Sequence, residues 1–177
     1  MIKDEHISSE VVFDGKILKV KVDTLAYDRD RTVTREVVEA GSTVVILPID
    51  RERNVLLVRQ FRYPIGMTLL EAPAGRVEIG ETSIEAAQRE LREEIGYASR
   101  DIREMGSFWI SPGYCTEYMH AYLAKDLVPG KLQPDDDEDI VVERFPLDDA
   151  WNMVKSGDIQ DVKTIAAMSM SGVITNN

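Results

Sequence analysis

Cysteine is all but missing from this chain: Cys115 stands alone among 177 residues, so no intrachain disulfide can form and a reducing, cytoplasmic setting is expected. Positive charge is also scarce. Twenty-one lysines and arginines face 32 aspartates and glutamates, giving a net charge of −11. That is the wrong sign for a nucleic-acid binder or for a protein that sits on anionic membranes. No apolar run approaches the ~18 residues that a spanning helix needs, and the opening MIKDEHISSE has no apolar signal core. Repeats and low-complexity linkers are absent too. What remains is a chain long enough to bury a real core. An anionic substrate would need cations to bridge it to so acidic a protein.

The stretch that stands out is Gly75 to Tyr97, GRVEIGETSIEAAQRELREEIGY. Thr82 and Glu85 have the spacing of a capping box, which predicts a helix beginning near Thr82. Ile84, Ala87, Leu91 and Ile95 recur at helical intervals and are the expected buried stripe. Gly96 falls where a left-handed cap would end the helix. Glu90 and Glu94 lie one turn apart with Glu93 beside them, so three carboxylates leave the helix in similar directions. Like charges at that spacing cost roughly 0.2–0.5 kcal/mol per pair, a penalty that a divalent cation would more than reverse. A glutamate cluster alone describes many solvated helix faces. The whole pattern does not: Gly75, five residues, Glu81, seven residues, Arg89-Glu90, two residues, Glu93-Glu94, one residue, Gly96 and an apolar position. Seven specified residues coincide by chance roughly once in a billion windows at average usage.

Around that stretch the chain reads as an arm and a main domain, residues 1–40 and 41–177. In the arm, Val20 and Val22 alternate with Lys19, Lys21 and Asp23, and Asp14-Gly15 and Asp28-Arg29-Asp30 supply turns between short strands. Thr43–Ile49 and Val55–Phe61 are β-rich and joined by the polar Asp50–Asn54, which predicts a hairpin. Leu69–Ala74 leads into the helix. Gly106–Ile110, Tyr118–Ala124 and Ile140–Phe145 follow as strands, and Leu147–Lys155 and Lys163–Ser171 as helices. Strands on both sides of one internal helix, closed by further helices, predict an α/β (α+β) sandwich with a mixed sheet, preceded by an antiparallel β arm.

The pattern from Gly75 to Tyr97 is the complete Nudix box, and the wider chain resembles the ADP-ribose pyrophosphatase branch of the Nudix hydrolases. The closer likeness rests on Arg35-Glu36-Val37-Val38-Glu39, Leu57-Val58-Arg59-Gln60-Phe61-Arg62, Glu71-Ala72-Pro73-Ala74-Gly75 and Ser111-Pro112-Gly113. Asp161-Val162-Lys163-Thr164 resembles the start of the family's last helix. Tyr97 departs from the aliphatic residue usual at the end of the box. The resemblance implies Mg²⁺-dependent hydrolysis of the diphosphate bond of ADP-ribose, or of a related nucleoside diphosphate sugar, to AMP and ribose 5-phosphate, with Mn²⁺ a possible substitute. It implies that Glu90, Glu93 and Glu94 and the Ala74 carbonyl hold the metal. Glu93 and a carboxylate of the acidic loop (Asp136, Asp137 or, favoured, Glu138) would bind metal or take the proton. Glu81 is a weaker, supporting candidate, and Arg89 would orient Glu93. Arg62 and Arg59 are candidates for diphosphate contact, Arg35 and Glu36 for the adenosine half, and Pro112 for the substrate side. A homodimer with exchanged arms is also implied, since valine-rich strands are not stable as an isolated small sheet. The rival readings are another sugar nucleotide such as GDP-mannose, and a module that senses a nucleotide without hydrolysing it.

Overall fold

The structure is a computed structural model and describes residues 5–28, 31–132 and 140–172. The acidic loop carrying Asp136, Asp137 and Glu138 lies outside the described residues. The chain packs as two units, Met1–Ser42 with Phe108–Tyr118, and Thr43–Ser107 with Met119–Asn177.

The first unit is built on β1 (Glu5–Asp14), β2 (Lys19–Asp28) and β3 (Arg31–Glu39), an antiparallel sheet in chain order. The Asp14-Gly15 turn closes as expected, with the Gly15 N–H donating to the Leu18 carbonyl at 3.0 Å. Phe108–Tyr118 joins this unit along β3: the Val38 N–H donates to the Tyr114 carbonyl at 2.7 Å, and the Thr116 N–H to the Val38 carbonyl at 3.0 Å. Pro112 sits at the exposed tip of that turn.

The second unit contains two sheets and three helices among its described residues. One sheet has the order β10 (Ile140–Pro146), β5 (Asn54–Arg62), β6 (Met67–Glu71). The other runs β7 (Ala74–Arg76), β4 (Ser42–Pro48), β9 (Tyr118–Pro129), β8 (Tyr97–Trp109). Helix α1 (Ser83–Glu94) carries the box; α2 (Leu147–Ser156) and α3 (Val162–Met170) close the chain. The core brings Val44 and Ile46 of β4, Leu56 and Val58 of β5, and Tyr122 and Ala124 of β9 against Ala86, Ala87, Leu91 and Ile95. The α+β class and the order of the main strands and helices are those the sequence predicts, while β8 starts at Tyr97 rather than Gly106 and β7 has no counterpart among the expected strands.

Two expectations are corrected. The Asp50–Asn54 turn forms, with Asp50 Oδ1 accepting the N–H groups of Glu52 and Asn54 at 2.9 and 2.8 Å. The strands on either side meet only at an Ile49–Val55 bridge and then enter different sheets. Both are apolar on successive residues rather than alternate ones, so each is buried on both faces and takes other neighbours. Ile84 is the second correction. It is 45% exposed, and the inward face of α1 is made by Ala86, Ala87, Leu91, Glu90 and Glu94 instead.

The helix start agrees with its signal. Glu85 accepts the Thr82 N–H at 2.8 Å and Thr82 accepts the Glu85 N–H at 3.4 Å, a reciprocal capping box. Thr82→Ala should therefore lower stability by about 1 kcal/mol, read as a lower urea midpoint with an unchanged slope.

Candidate active site

Helix α1 turns carboxylates toward the core because its apolar residues and its glutamates share one face. Glu90 is 8% exposed and Glu94 7%, while Glu93 stands on the flank. Burial of an acidic side chain requires compensation close by, and Arg89 supplies much of it. Its Nη1 donates to Glu90 Oε1 at 2.7 Å and to Glu93 Oε2 at 2.8 Å, the latter at the expected one-turn spacing. Nε and Nη2 hold the two Glu81 oxygens at 3.0 and 3.1 Å, and Nη2 also reaches the Arg76 carbonyl at 2.8 Å. Burial works against the Arg89 charge. The hydrogen bonds to Glu81, Glu90 and Glu93 and the attraction of Glu90 outweigh it, so the guanidinium is held far above its ordinary range. In return Arg89 is the main reason the Glu81 carboxyl titrates lower than usual, with the Glu78 N–H assisting.

The loop before the helix is shaped around these carboxylates. The Ala74 N–H donates to Glu94 Oε2 at 3.3 Å. Gly75 lies flat against Glu90: a Cβ there would stand 1.8 Å from Oε1 and 2.0 Å from the carboxyl carbon. Only a residue without a side chain lets the Glu90 carboxylate approach this backbone. Gly96, at φ +76°, then ends the helix in the left-handed conformation that favours glycine.

Among the described residues no three His, Cys, Asp or Glu side chains converge as a ready-made metal site. Arg89 accounts for part of this by tying up oxygens of Glu90 and Glu93. The donor set nonetheless fits a hard divalent ion: every candidate atom is oxygen, two of the carboxylates are buried, and bare backbone faces them at Gly75. A cavity of about 220 Å³ lies beside them, bordered by Glu93, Glu94, Lys131, Ile140 and Val142. One rim is fixed to the helix end by the Leu132 N–H on the Arg92 carbonyl at 3.0 Å and by Arg92 Nε on the Gly130 carbonyl at 2.9 Å.

Arg62 clamps Glu71 through Nε and Nη2, at 2.8 and 2.7 Å, and Nη1 makes no hydrogen bond to a described residue. Arg59 is held across the β5–β10 ladder by Glu143, at 2.5 and 3.1 Å. Arg35 and Glu36 are exposed on β3, in the first unit with Pro112. Sequence reasoning gave no role to Glu71, which is 1% exposed and shared by Arg62 and Lys163. Burial would raise the Glu71 carboxyl; the Arg62 and Lys163 charges and hydrogen bonds overcome that and hold it below its ordinary 4.5. The signal was present, because Glu71 and Lys163 both lie in segments that carry the family likeness.

Two outcomes follow. Gly75→Ala should displace the Glu90 carboxylate by about 1 Å or more and lower kcat/KM roughly 100-fold, with the fold retained by circular dichroism. Because the folded-state pKa of Glu71 is depressed, its contribution to stability is complete above pH 4.5 and is lost as pH falls through the folded value. Glu71→Gln should accordingly flatten the acid limb of stability against pH, measured by urea unfolding between about pH 3 and 6.

Comparison with known proteins identifies the family. The NUDIX domain family matches residues 40–168. An ADP-ribose pyrophosphatase of Bacillus subtilis is 33% identical over 94% of this chain and 91% of its own length. A methanol dehydrogenase activator of Bacillus methanolicus is 34% identical over 95% of this chain and 92% of its own. A crystal structure of an ADP compounds hydrolase superimposes with a TM-score of 0.88, covering 97% of this chain and 93% of that one; at 24% identity it speaks to the fold alone. With an intact box, a glycine seat for Glu90 and a match across most of its length, this chain belongs to the Nudix family and is a Nudix pyrophosphohydrolase.

Proposed function

We propose that the protein hydrolyses the diphosphate bond of ADP-ribose, or of a closely related nucleoside diphosphate sugar, releasing AMP and ribose 5-phosphate. The observation that carries this reading is the buried Glu90–Glu94 pair against Gly75, in a chain aligned almost end to end with an ADP-ribose pyrophosphatase. Glu90, Glu94, Glu93 and the Ala74 carbonyl hold divalent metal, Mg²⁺ in the cell and Mn²⁺ as a substitute, with Glu138 as a further ligand. When bound, the metal neutralises phosphate oxygens and lowers the pKa of the attacking water.

The protein's own groups do the rest. Glu93 or Glu138 takes the proton from water as its oxygen bonds to phosphorus, and the bridging P–O bond breaks in line. Arg89 orients Glu93 by the 2.8 Å bond between them. Arg62 offers Nη1 to the diphosphate while Glu71 holds its other edge, an arrangement that suits the planar guanidinium. Arg59, already paired with Glu143, is the weaker contact. Arg35 and Glu36 are assigned to the adenosine half across a dimer interface, and Pro112 to the substrate side.

The arm supports a homodimer: Ile7, Val11, Val12, Phe13 and Ile17 are all exposed on or beside β1, more apolar surface than a free edge sheet carries. Light scattering at micromolar concentration should return twice the monomer mass, and a monomer would count against exchange of the arms. The cytoplasm is the setting we assign. A sensing role that leaves the nucleotide intact is the second reading, favoured only by the activator name of one relative; the undamaged box opposes it.

Incubation with ADP-ribose and Mg²⁺ should release AMP, and Glu93→Gln should lower kcat by about 100-fold or more while ligand binding persists. Faster turnover of GDP-mannose would move the assignment to another sugar nucleotide, and no turnover of any diphosphate would leave the sensing role.

A further inference from the structure

The backbone from Glu71 to Arg76 is held from three sides, and one of them is a helix that the chemistry above does not use. From α1 comes the Glu94 carboxylate on the Ala74 N–H at 3.3 Å. From β4 come the Ile46 N–H on the Pro73 carbonyl at 2.8 Å and the ladder to β7. The third side is the start of α3. Thr164, fully buried, accepts the Ala72 N–H on Oγ1 at 2.7 Å and donates its own hydroxyl hydrogen bond to Asp161 Oδ2 at 2.5 Å. Asp161 Oδ2 also caps the helix by accepting the Thr164 N–H at 3.0 Å. Lys163 bridges Asp161 Oδ1, at 2.9 Å, to Glu71. A helix 92 residues further along the chain therefore fixes a peptide two residues before the one whose carbonyl would face metal.

We propose that Thr164 and Lys163 are positioning residues for the metal-holding loop. They set the Ala72 peptide so that Ala74 and Gly75 meet Glu94 and Glu90 in the binding geometry. This rests on the reading that Ala74, Glu90 and Glu94 hold the metal. The energetic logic is direct. Thr164 Oγ1 is the acceptor of the buried Ala72 N–H, and a buried N–H that loses its acceptor is costly enough to move the backbone that carries it. A loop that shifts by a fraction of an ångström loses affinity for an ion that demands near-octahedral oxygens.

The test is Mn²⁺ binding by titration calorimetry on the full chain, without substrate. Thr164→Val, which keeps shape and removes the hydroxyl, should weaken Mn²⁺ about tenfold or more, and Thr164→Ser should restore it. Hydrogen exchange at the Ala72 amide should rise in Thr164→Val and return in Thr164→Ser. Lys163→Met, at the helix start, should weaken Mn²⁺ as well, and decides the matter if Thr164→Val does not fold. Glu94→Gln is measured in parallel. If it weakens Mn²⁺ while both Thr164→Val and Lys163→Met bind like the parent, the positioning role is overturned and the metal assignment stands. If Glu94→Gln itself binds Mn²⁺ unchanged, the metal assignment falls, and this proposal with it.

Discussion

The constraint on which the second unit depends is the burial of two carboxylates one helical turn apart. An ionised glutamate removed from water costs several kcal/mol unless its oxygens are met by donors or cations. Glu90 and Glu94 face the core beside Ala87 and Leu91, so the compensation must be local and rigid. It comes from Arg89 within the same helix and from the backbone at Ala74, while the missing side chain at Gly75 makes the approach possible. These demands fix the loop against the helix. β7 is held to β4 by its own ladder, and α1 packs its apolar residues on β4, β5 and β9.

Arg89 shows how tightly the local charges are coupled. It binds Glu81, Glu90, Glu93 and the Arg76 carbonyl at once, so the start of the box, its centre and its flank share one cation. Removing it would take from the buried Glu90 carboxylate its Arg89 hydrogen bond, a larger penalty than loss of an exposed ion pair. The same logic holds at Glu71, where Arg62 and Lys163 together neutralise a side chain with almost no access to water.

What could be read from sequence is what depends on short separations. The capping box at Thr82, the glycine stop at Gly96 and the Arg89–Glu93 contact each involve residues within a turn or two, and each is in place. Ile84 stands outside the buried side because periodicity identifies a face but does not say that acidic residues will occupy it; that side runs through Glu90 and Glu94. The hairpin at Asp50 failed for a related reason. Turn chemistry is local and correct there, while the partner of a strand buried on both faces is chosen by the whole sandwich. The Glu71–Lys163 bridge spans 92 residues and no pattern of spacing could announce it. The family likeness pointed to both segments without saying that they touch.

The charge balance then constrains how an anionic substrate can be held. The protein carries a net −11, and the described cations near the box are largely committed to its own carboxylates: Arg89 to three glutamates, Arg59 to Glu143, Lys163 to Glu71 and Asp161. Arg62 retains Nη1, and Lys131 borders the cavity next to Glu93 and Glu94. On the proposed reading, few cations are left to meet a diphosphate among these glutamates. Most of the neutralisation would arrive with divalent ions; the affinities for metal and for diphosphate would then be linked, each strengthening the other by the same factor. Under that proposal the acidic cluster would admit an anion only in company with metal.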